Sequence, residues 1–197
     1  MTISIALKVG DGVVLGTDSA SALVGRDGRP FKVYASGEKL LNLVPGLPIG
    51  LLVHGVGALE HRSVMCVARD LRNELASSLY QRLEPTHYLL ADIAVQVWEF
   101  FRRRYEVAFR GTGEEPEMGF ILAGYSAGSR SAEVWALSVH GEKGRPSQIV
   151  SPAHPSGISW NGEGAALTRL LQGLSDEVYG ELLKYDIPPE SLHSLLD

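Results

Sequence analysis

Thr2, Asp18 and Lys39 carry a hydroxyl, a carboxylate and an ammonium, the groups of a base-activated nucleophilic site. An aminopeptidase normally removes Met1 before a small residue, which leaves Thr2 with a free α-amine beside its hydroxyl. Such an amine has a pKa of about 7.7–8.0 and can act as general base for that hydroxyl. Many proteins begin with Met-Thr, so the argument depends on Asp18 and Lys39.

The sequence predicts a hairpin that brings Asp18 towards Thr2. Residues 3–9 alternate between apolar and other side chains, 10–12 are typical of a turn, and 13–18 are typical of a second strand. In a hairpin with this turn, two residues lie opposite each other when their numbers sum to about 21. Asp18 therefore lies near the start of the first strand. The two-residue period also predicts that this strand buries one face.

Lys39 begins a later strand, beside a Ser-Gly-Glu turn. An ammonium next to the Thr2 hydroxyl would favour alkoxide character, and Asp18 would hold that ammonium in place. The ordinary alternatives are a turn cap for Asp18 and a solvated surface side chain for Lys39.

The remaining elements predict an α+β fold. Strands are expected at 39–44, 49–53, 119–125, 132–139, 148–150 and 158–161, and helices within 58–83, 88–109, 164–173 and 176–185. Strands that come in blocks favour mainly antiparallel sheets. We therefore expect one domain over residues 1–197, a four-layer α-β-β-α sandwich of two face-to-face sheets with helices outside. Because both long helices have wide apolar faces and lie outermost in that arrangement, we also expect a homo-oligomer with helix-to-helix contacts.

Composition excludes several classes of protein. With 45% hydrophobic and 21% charged residues among 197, the chain is not disordered as a whole. A net charge of −5 does not fit a general nucleic-acid binder. The single cysteine, Cys66, excludes an internal disulfide and a multi-cysteine zinc site. Without a targeting signal or a long apolar segment, the expected location is the cytoplasm, with no membrane partner.

A second candidate nucleophile is Ser126, within the Gly-x-Ser-x-Gly pattern of residues 124–128. That motif requires a helix after the serine, whereas an alternating, strand-like segment follows here, so a hairpin turn is the preferred interpretation. A serine hydrolase with Asp176 and His193 as partners stays as the alternative.

Three other features have ordinary interpretations beside functional ones. His54 is expected to be a strand-end histidine, or else a residue that tunes the Thr2 site. Cys66 is expected to be buried and inert. Arg102, Arg103 and Arg104 are expected on a solvated helix face, or else at an anion site.

The first forty residues resemble the opening of proteasome β-type subunits and their bacterial relatives, which are N-terminal-nucleophile hydrolases. Thr2 and Asp18 keep that family's interval of sixteen residues, and Lys39 precedes a similar apolar strand. His54-Gly55-Val56-Gly57-Ala58 is similar to the glycine-rich turn before the family's first long helix. The resemblance extends over nearly the whole chain.

This resemblance implies a threonine-type hydrolase of peptide or amide bonds, with Thr2 as nucleophile, Asp18 and Lys39 as its supports, and the Gly55 N–H as oxyanion donor. It implies neither a metal nor an organic cofactor. The implied partners are peptide or protein substrates, a homo-oligomeric ring and an ATP-dependent unfoldase. A catalytically inactive, ring-forming homologue is the alternative.

The chain departs from the family pattern at Glu163, where the family has a serine that contacts the terminal amine. A carboxylate there would raise the pKa of the amine and weaken it as a base. Alternatively, Glu163 only begins a helix, where its charge suits the helix dipole. The chain also ends sooner than the family does, at Asp197, so one sheet is expected to have fewer strands.

Overall fold

The computed structural model describes residues 2–24, 30–77, 86–113, 115–140, 145–162, 165–173 and 176–184. The chain divides into two compact units, Met1–Gly162 and Glu163–Asp197. The first unit contains the strands β1 (Ile3–Val9), β2 (Gly12–Thr17), β3 (Ser21–Val24), β4 (Pro30–Tyr34), β5 (Leu40–Asn42), β6 (Ile49–Gly55), β7 (Ala58–Leu59), β8 (Arg62–Ser63), β9 (Met118–Gly124), β10 (Glu133–Ser138), β11 (Ser147–Val150) and β12 (Gly157–Gly162), and the helices α1 (Val64–Ala76) and α2 (Leu90–Phe109). The second unit contains α3 (Ala165–Gln172) and α4 (Asp176–Leu183).

Two antiparallel sheets form the frame of the first unit. One has five strands in the order β11-β10-β9-β6-β5, and the other has three in the order β12-β1-β2. Two small hairpins, β3–β4 and β7–β8, complete the strand pairing of the described residues. The mixture of helices with several antiparallel sheets confirms the expected α+β class.

The central strands β6 and β9 of the five-stranded sheet are buried on both faces. Strand β9 alternates between two cores: Phe120 and Leu122 pack with α1 and α2, whereas Ile121 and Ala123 pack against the three-stranded sheet. Successive side chains of a strand point to opposite faces, so one continuously apolar strand serves both cores. The first unit therefore has three layers: helices, the five-stranded sheet and the three-stranded sheet.

The apolar faces of α1 and α2 belong to the larger of these cores. Their buried residues are Val64, Met65, Val67, Ala68, Leu71 and Leu75 in α1, and Leu90, Ile93, Ala94, Val97, Phe100, Phe101 and Tyr105 in α2. These faces are covered within the chain, so they do not supply the exposed apolar surface from which we expected an oligomer. On the outward side of α2, Val95 and Val107 are exposed, so helix-to-helix contacts stay a prediction.

Helix α1 begins later than its sequence pattern predicts. The hairpin β7–β8 occupies 58–63, and its turn residues Glu60 and His61 have φ values of 49° and 65°. The helix starts after Ser63, whose Oγ accepts a hydrogen bond of 3.2 Å from the Cys66 N–H. A serine N-cap satisfies a free N–H of the first turn and so fixes the helix start.

The N-terminal hairpin has the predicted register, because Ser4 pairs with Thr17 and Val9 with Gly12. Its buried face is the one without the large apolar side chains: Ser4, Ala6 and Lys8 of β1 are buried, whereas Leu7 and Val9 are exposed. The Lys8 Nζ is satisfied there by the Ser131 Oγ at 3.1 Å and by two backbone carbonyls. A buried ammonium is tolerated because its donors are all bonded.

Of the helices that the structure describes, none has the length and apolar character needed to cross a membrane.

Candidate active site

Thr2, Asp18 and Lys39 meet at one end of the three-stranded sheet. The Lys39 Nζ donates to the Thr2 Oγ1 at 3.1 Å and to both carboxylate oxygens of Asp18 at 3.0 Å. Lys39 is 8% exposed, so its charge acts where water screens it poorly. The ammonium thus bridges the hydroxyl and the carboxylate, in the order Thr2, Lys39, Asp18.

The backbone of the hairpin holds Asp18. Its Oδ1 accepts from the Ile3 N–H and its Oδ2 from the Ala20 N–H, each at 2.9 Å. Burial by itself raises the pKa of Asp18, but the hydrogen bonds from Ile3 and Lys39, with the charge of Lys39, outweigh burial and hold this pKa below its ordinary value. The carboxylate is therefore ionised at neutral pH and fixed in orientation.

Pairing of β6 orients the backbone of Gly55. The Val56 N–H donates to the Glu117 carbonyl at 2.8 Å, whereas the Val53 N–H points the other way and donates to the Lys39 carbonyl at 2.9 Å. Because N–H groups alternate along an extended strand, the Gly55 N–H shares the direction of Val53, towards the Lys39 side of the sheet. Gly55 lines the same cavity as Thr2.

A side chain at position 55 is excluded. Gly55 has φ of 86°, in the left-handed region that favours glycine, and a Cβ would overlap with the Glu117 carbonyl. Gly162 is constrained in the same way beside Thr2, since φ is 90° and a Cβ would overlap with the Thr2 carbonyl. These two glycines let other strands approach the site closely.

The cavity next to Thr2 has a volume of about 480 Å³. Its lining residues are Thr2, Ala20, Ser21, Ala22, Ser36, Gly37, Glu38, Lys39, Val53, His54, Gly55, Val56, Gly57, Ser63, Val64, Met65 and Arg69. Sequence reasoning found Thr2, Lys39, His54 and Gly55, but missed the ion pair between Glu38 and Arg69. Glu38 adjoins Lys39 in sequence, but no local pattern brings Arg69 to it, because that contact joins a loop to α1.

His54 lies buried in the cavity wall, against Gly119. Among the described residues its Nδ1 has no hydrogen-bond partner, and it lies 3.6 Å from the Glu117 Oε1. Burial lowers the pKa of His54; the Glu117 carboxylate acts in the opposite direction and His140 adds to the lowering. His54 is therefore neutral at neutral pH. The expected local hydrogen bond is absent from the described residues.

Glu163 lies outside the described residues, so its expected contact with the Thr2 amine stays a prediction. Its neighbour in sequence, Gly162, pairs with Ile3 across β12 and β1.

Ser126 has a structural environment. It lies in the connection between β9 and β10, and its Oγ accepts from the Leu90 N–H at 3.0 Å and donates to Glu133. It thereby caps α2, whose own N-cap residue, Leu89, makes no side-chain bond. A strand follows the serine instead of a helix, as expected for a hairpin. Of the alternative partners, Asp176 belongs to the second unit and His193 lies outside the described residues.

The other chemical candidates are also accounted for. Arg102, Arg103 and Arg104 form ion pairs with Glu106, Glu99 and Glu74, which supports a solvated helix face. Cys66 is only partly buried, contrary to expectation, because it begins the exposed side of α1. Within the described ranges, no three His, Cys, Asp or Glu side chains are placed to hold a metal ion.

No protein-family model matches the sequence, and no curated protein matches it. Several solved structures share the fold. The chain in the helical assembly of the Anbu complex from Pseudomonas aeruginosa has a TM-score of 0.59 and 20% identity, over 88% of this chain and 66% of that one. Anbu (ancestral beta-subunit) from Yersinia bercovieri has a TM-score of 0.59 and 15% identity, over 97% and 70%. An Anbu (Gly-1) mutant from Hyphomicrobium sp. strain MC1 has a TM-score of 0.55 and 18% identity, over 89% and 68%.

These neighbours correct the resemblance to proteasome β-type subunits, which was wrong at the level of the family. The similar structures are Anbu proteins, a proteasome-like but distinct family, and at 15–20% identity they show the fold alone. A motif of a few residues indicates a kind of site, but it does not distinguish between families that share one fold. The chain spans about two thirds of the length of the solved chains it matches.

Proposed function

We propose that this chain is a threonine-type N-terminal-nucleophile hydrolase that cleaves peptide or other amide bonds, with Thr2 as the nucleophile. The observation that carries the proposal is the position of the Lys39 Nζ, 3.1 Å from the Thr2 Oγ1 and bonded to both oxygens of Asp18. Asp18 also caps the turn through the Ala20 N–H, but a solvated surface lysine would not be buried and bonded to both Asp18 and the Thr2 hydroxyl.

In this proposal the free α-amine of Thr2 takes the proton from its own Oγ, and the Oγ attacks the substrate carbonyl carbon. The Lys39 ammonium favours the developing alkoxide, and Asp18 orients that ammonium. The negative charge on the carbonyl oxygen is stabilised by the Gly55 N–H. The groups are fixed before reaction by the hairpin and by β6, so little reorganisation is needed.

Collapse of the tetrahedral intermediate breaks the C–N bond, and the Thr2 ammonium returns its proton to the leaving amine. The acyl group remains on Oγ as an ester. Water then attacks the ester with the same amine as base, releasing the acid and restoring the hydroxyl. These steps need no metal or organic cofactor.

The proposal includes the expected four-layer sandwich and assembly into a homo-oligomer. Support for assembly is the fold shared with the Pseudomonas aeruginosa protein, whose structure is described as a helical assembly. Light scattering tests assembly directly, since a single 21.3 kDa species at micromolar concentration contradicts it.

The second candidate function is a catalytically silent subunit that only builds an assembly, and the same neighbour supports it equally. The two functions differ in what they require of the N-terminus. A hydrolase needs Met1 removed, because an acylated α-amine on Thr2 is no base, whereas a silent subunit has no such requirement.

Intact-mass measurement combined with an epoxyketone probe decides between them. The proposal expects loss of Met1, one probe molecule per chain attached at Thr2, and no labelling of Thr2→Ala. Thr2→Ser is the matched control and should still be labelled, because it keeps the hydroxyl and the amine. Retained Met1, or equal labelling of the Thr2→Ala variant, contradicts the hydrolase and favours the silent subunit.

A further inference from the structure

The ion pair between Glu38 and Arg69 lies in the wall of the cavity that reaches Thr2. Glu38 directly precedes Lys39 in the sequence, and Arg69 lies in the second turn of α1. Both side chains are partly exposed, at 65% and 48% respectively. Both residues line the cavity, and neither belongs to the contacts among Thr2, Lys39 and Asp18.

The rest of the cavity wall is neutral. Val53, Val64 and Met65 are apolar and buried, and they supply its inner surface. Lys39 also lines the cavity, but its charge is met by Asp18. His54 is uncharged at neutral pH because burial lowers its pKa. Among the described lining residues, each charged group therefore has an oppositely charged partner.

We propose that the Glu38–Arg69 pair determines substrate specificity: by cancelling each other's charge, the two residues make the cavity select an uncharged, apolar side chain next to the scissile carbonyl. This inference rests on the proposed hydrolase function of Thr2. An apolar side chain of leucine or methionine size gains by contact with Val53 and Met65. A charged side chain of the substrate would lose its hydration against this apolar surface. It would find no unpaired opposite charge, because Glu38 is paired with Arg69 and Lys39 with Asp18.

Single substitutions at this pair should change the charge preference in opposite directions. Arg69→Met leaves the Glu38 carboxylate without Arg69, so the cavity becomes acidic and should favour basic side chains. Glu38→Gln leaves the Arg69 guanidinium without Glu38 and should favour acidic ones. The double variant removes both charges and should return to the preference of the parent protein.

The experiment measures kcat/KM for three fluorogenic tripeptide amides that differ only in Leu, Arg or Glu before the scissile bond. The parent protein is expected to prefer Leu. A unit charge about 5 Å from another in water-like surroundings changes the interaction by about four-fold, which sets the minimum expected change in the Arg/Leu or Glu/Leu ratio. Arg62→Met is the matched control, because Arg62 forms an exposed ion pair with Asp70 and does not line the cavity.

Labelling of Thr2 by an epoxyketone with an alanine side chain separates this proposal from the proposed function. If Thr2 is labelled but the substitutions leave both ratios unchanged, or the parent protein prefers a charged substrate, the specificity proposal is overturned while the hydrolase stands. If Thr2 is not labelled, both are overturned. Both substitutions are at partly exposed side chains, so thermal unfolding should show that the variants fold.

Discussion

Lys39→Met tests whether the lysine ammonium assists the Thr2 hydroxyl. Methionine is similar to lysine in length and keeps contact with the buried surroundings, but it has no charge and no N–H donor. The substitution therefore removes the 3.1 Å hydrogen bond to Thr2 and the two 3.0 Å bonds to Asp18. The Asp18 carboxylate keeps its bonds from Ile3 and Ala20, so the hairpin should still form.

The geometry bounds the expected loss of activity. Two unit charges 3.1 Å apart, the separation of the Lys39 Nζ and the Thr2 Oγ1, interact with about 5 kcal/mol at an effective dielectric constant of 20 and about 1.3 kcal/mol in bulk water. Asp18 offsets part of this attraction, because its negative charge lies equally close to Lys39. Loss of one fixed donor from an active site costs about 100- to 1000-fold in kcat, which lies between these limits. We expect a loss of that size for Lys39→Met.

The assay compares the rate of Thr2 acylation by a fluorogenic substrate in the parent protein, Lys39→Met, Asp18→Asn and the double variant. Because Asp18 acts through Lys39, the double variant should be little worse than Lys39→Met alone. Arg103→Met is the control, since Arg103 is an exposed residue of α2 paired with Glu99. A Lys39→Met variant that folds and keeps more than about a tenth of the acylation rate refutes the electrostatic role assigned to Lys39.

Three further results are expected. Gly55→Ala should abolish turnover and lower the free energy of unfolding by about 1–3 kcal/mol, because the left-handed φ and the Glu117 carbonyl both oppose a Cβ, so that the backbone and its N–H must shift; unchanged turnover and stability contradict this steric constraint. Ser126→Ala should keep full activity and lose about 1–2 kcal/mol of stability in denaturant unfolding, because the cap of α2 is removed; loss of activity equal to that of Thr2→Ala would restore the serine hydrolase. The lowered pKa of His54 predicts that the free energy of unfolding falls as the pH drops below about 6.5, because only the unfolded chain then readily takes up a proton on this histidine. His54→Gln should flatten that fall, whereas His154→Gln, at an exposed site, should not. Parallel curves of unfolding free energy against pH for the parent protein and His54→Gln contradict the lowered pKa of His54.

The hairpin was predictable from sequence because its information is local. Alternation in residues 3–9 and the turn at 10–12 define a register, and that register places Asp18 beside the Thr2 strand. The pairing of β6 with β9 was not predictable in this way, since it joins residues about seventy positions apart and depends on both faces being covered. The direction of the Gly55 N–H depends on that long-range pairing.

The start of α1 shows where a local pattern misleads. The segment without Gly or Pro begins at Ala58, whereas the apolar residues at helical spacing begin at Val64, and 58–63 forms the hairpin β7–β8. Helix propensity is a weak preference that tertiary contacts override. Ser63 then supplies the N-cap, a signal that was present in the sequence but could be assigned only once the preceding hairpin was known.

By itself the sequence determined the α+β class, the N-terminal hairpin with its register, and the short set of residues able to do chemistry, because each of these follows from local periodicity, turn residues and side-chain type. Tertiary structure alone decided that β1 buries Ser4, Ala6 and Lys8 instead of its larger apolar residues, since Lys8 finds its oxygen partners on distant loops. It also decided that Arg69 of α1 meets Glu38 in the cavity wall. Contacts of this kind join residues remote in the chain, and their free energy depends on the burial and partners that only the folded molecule creates.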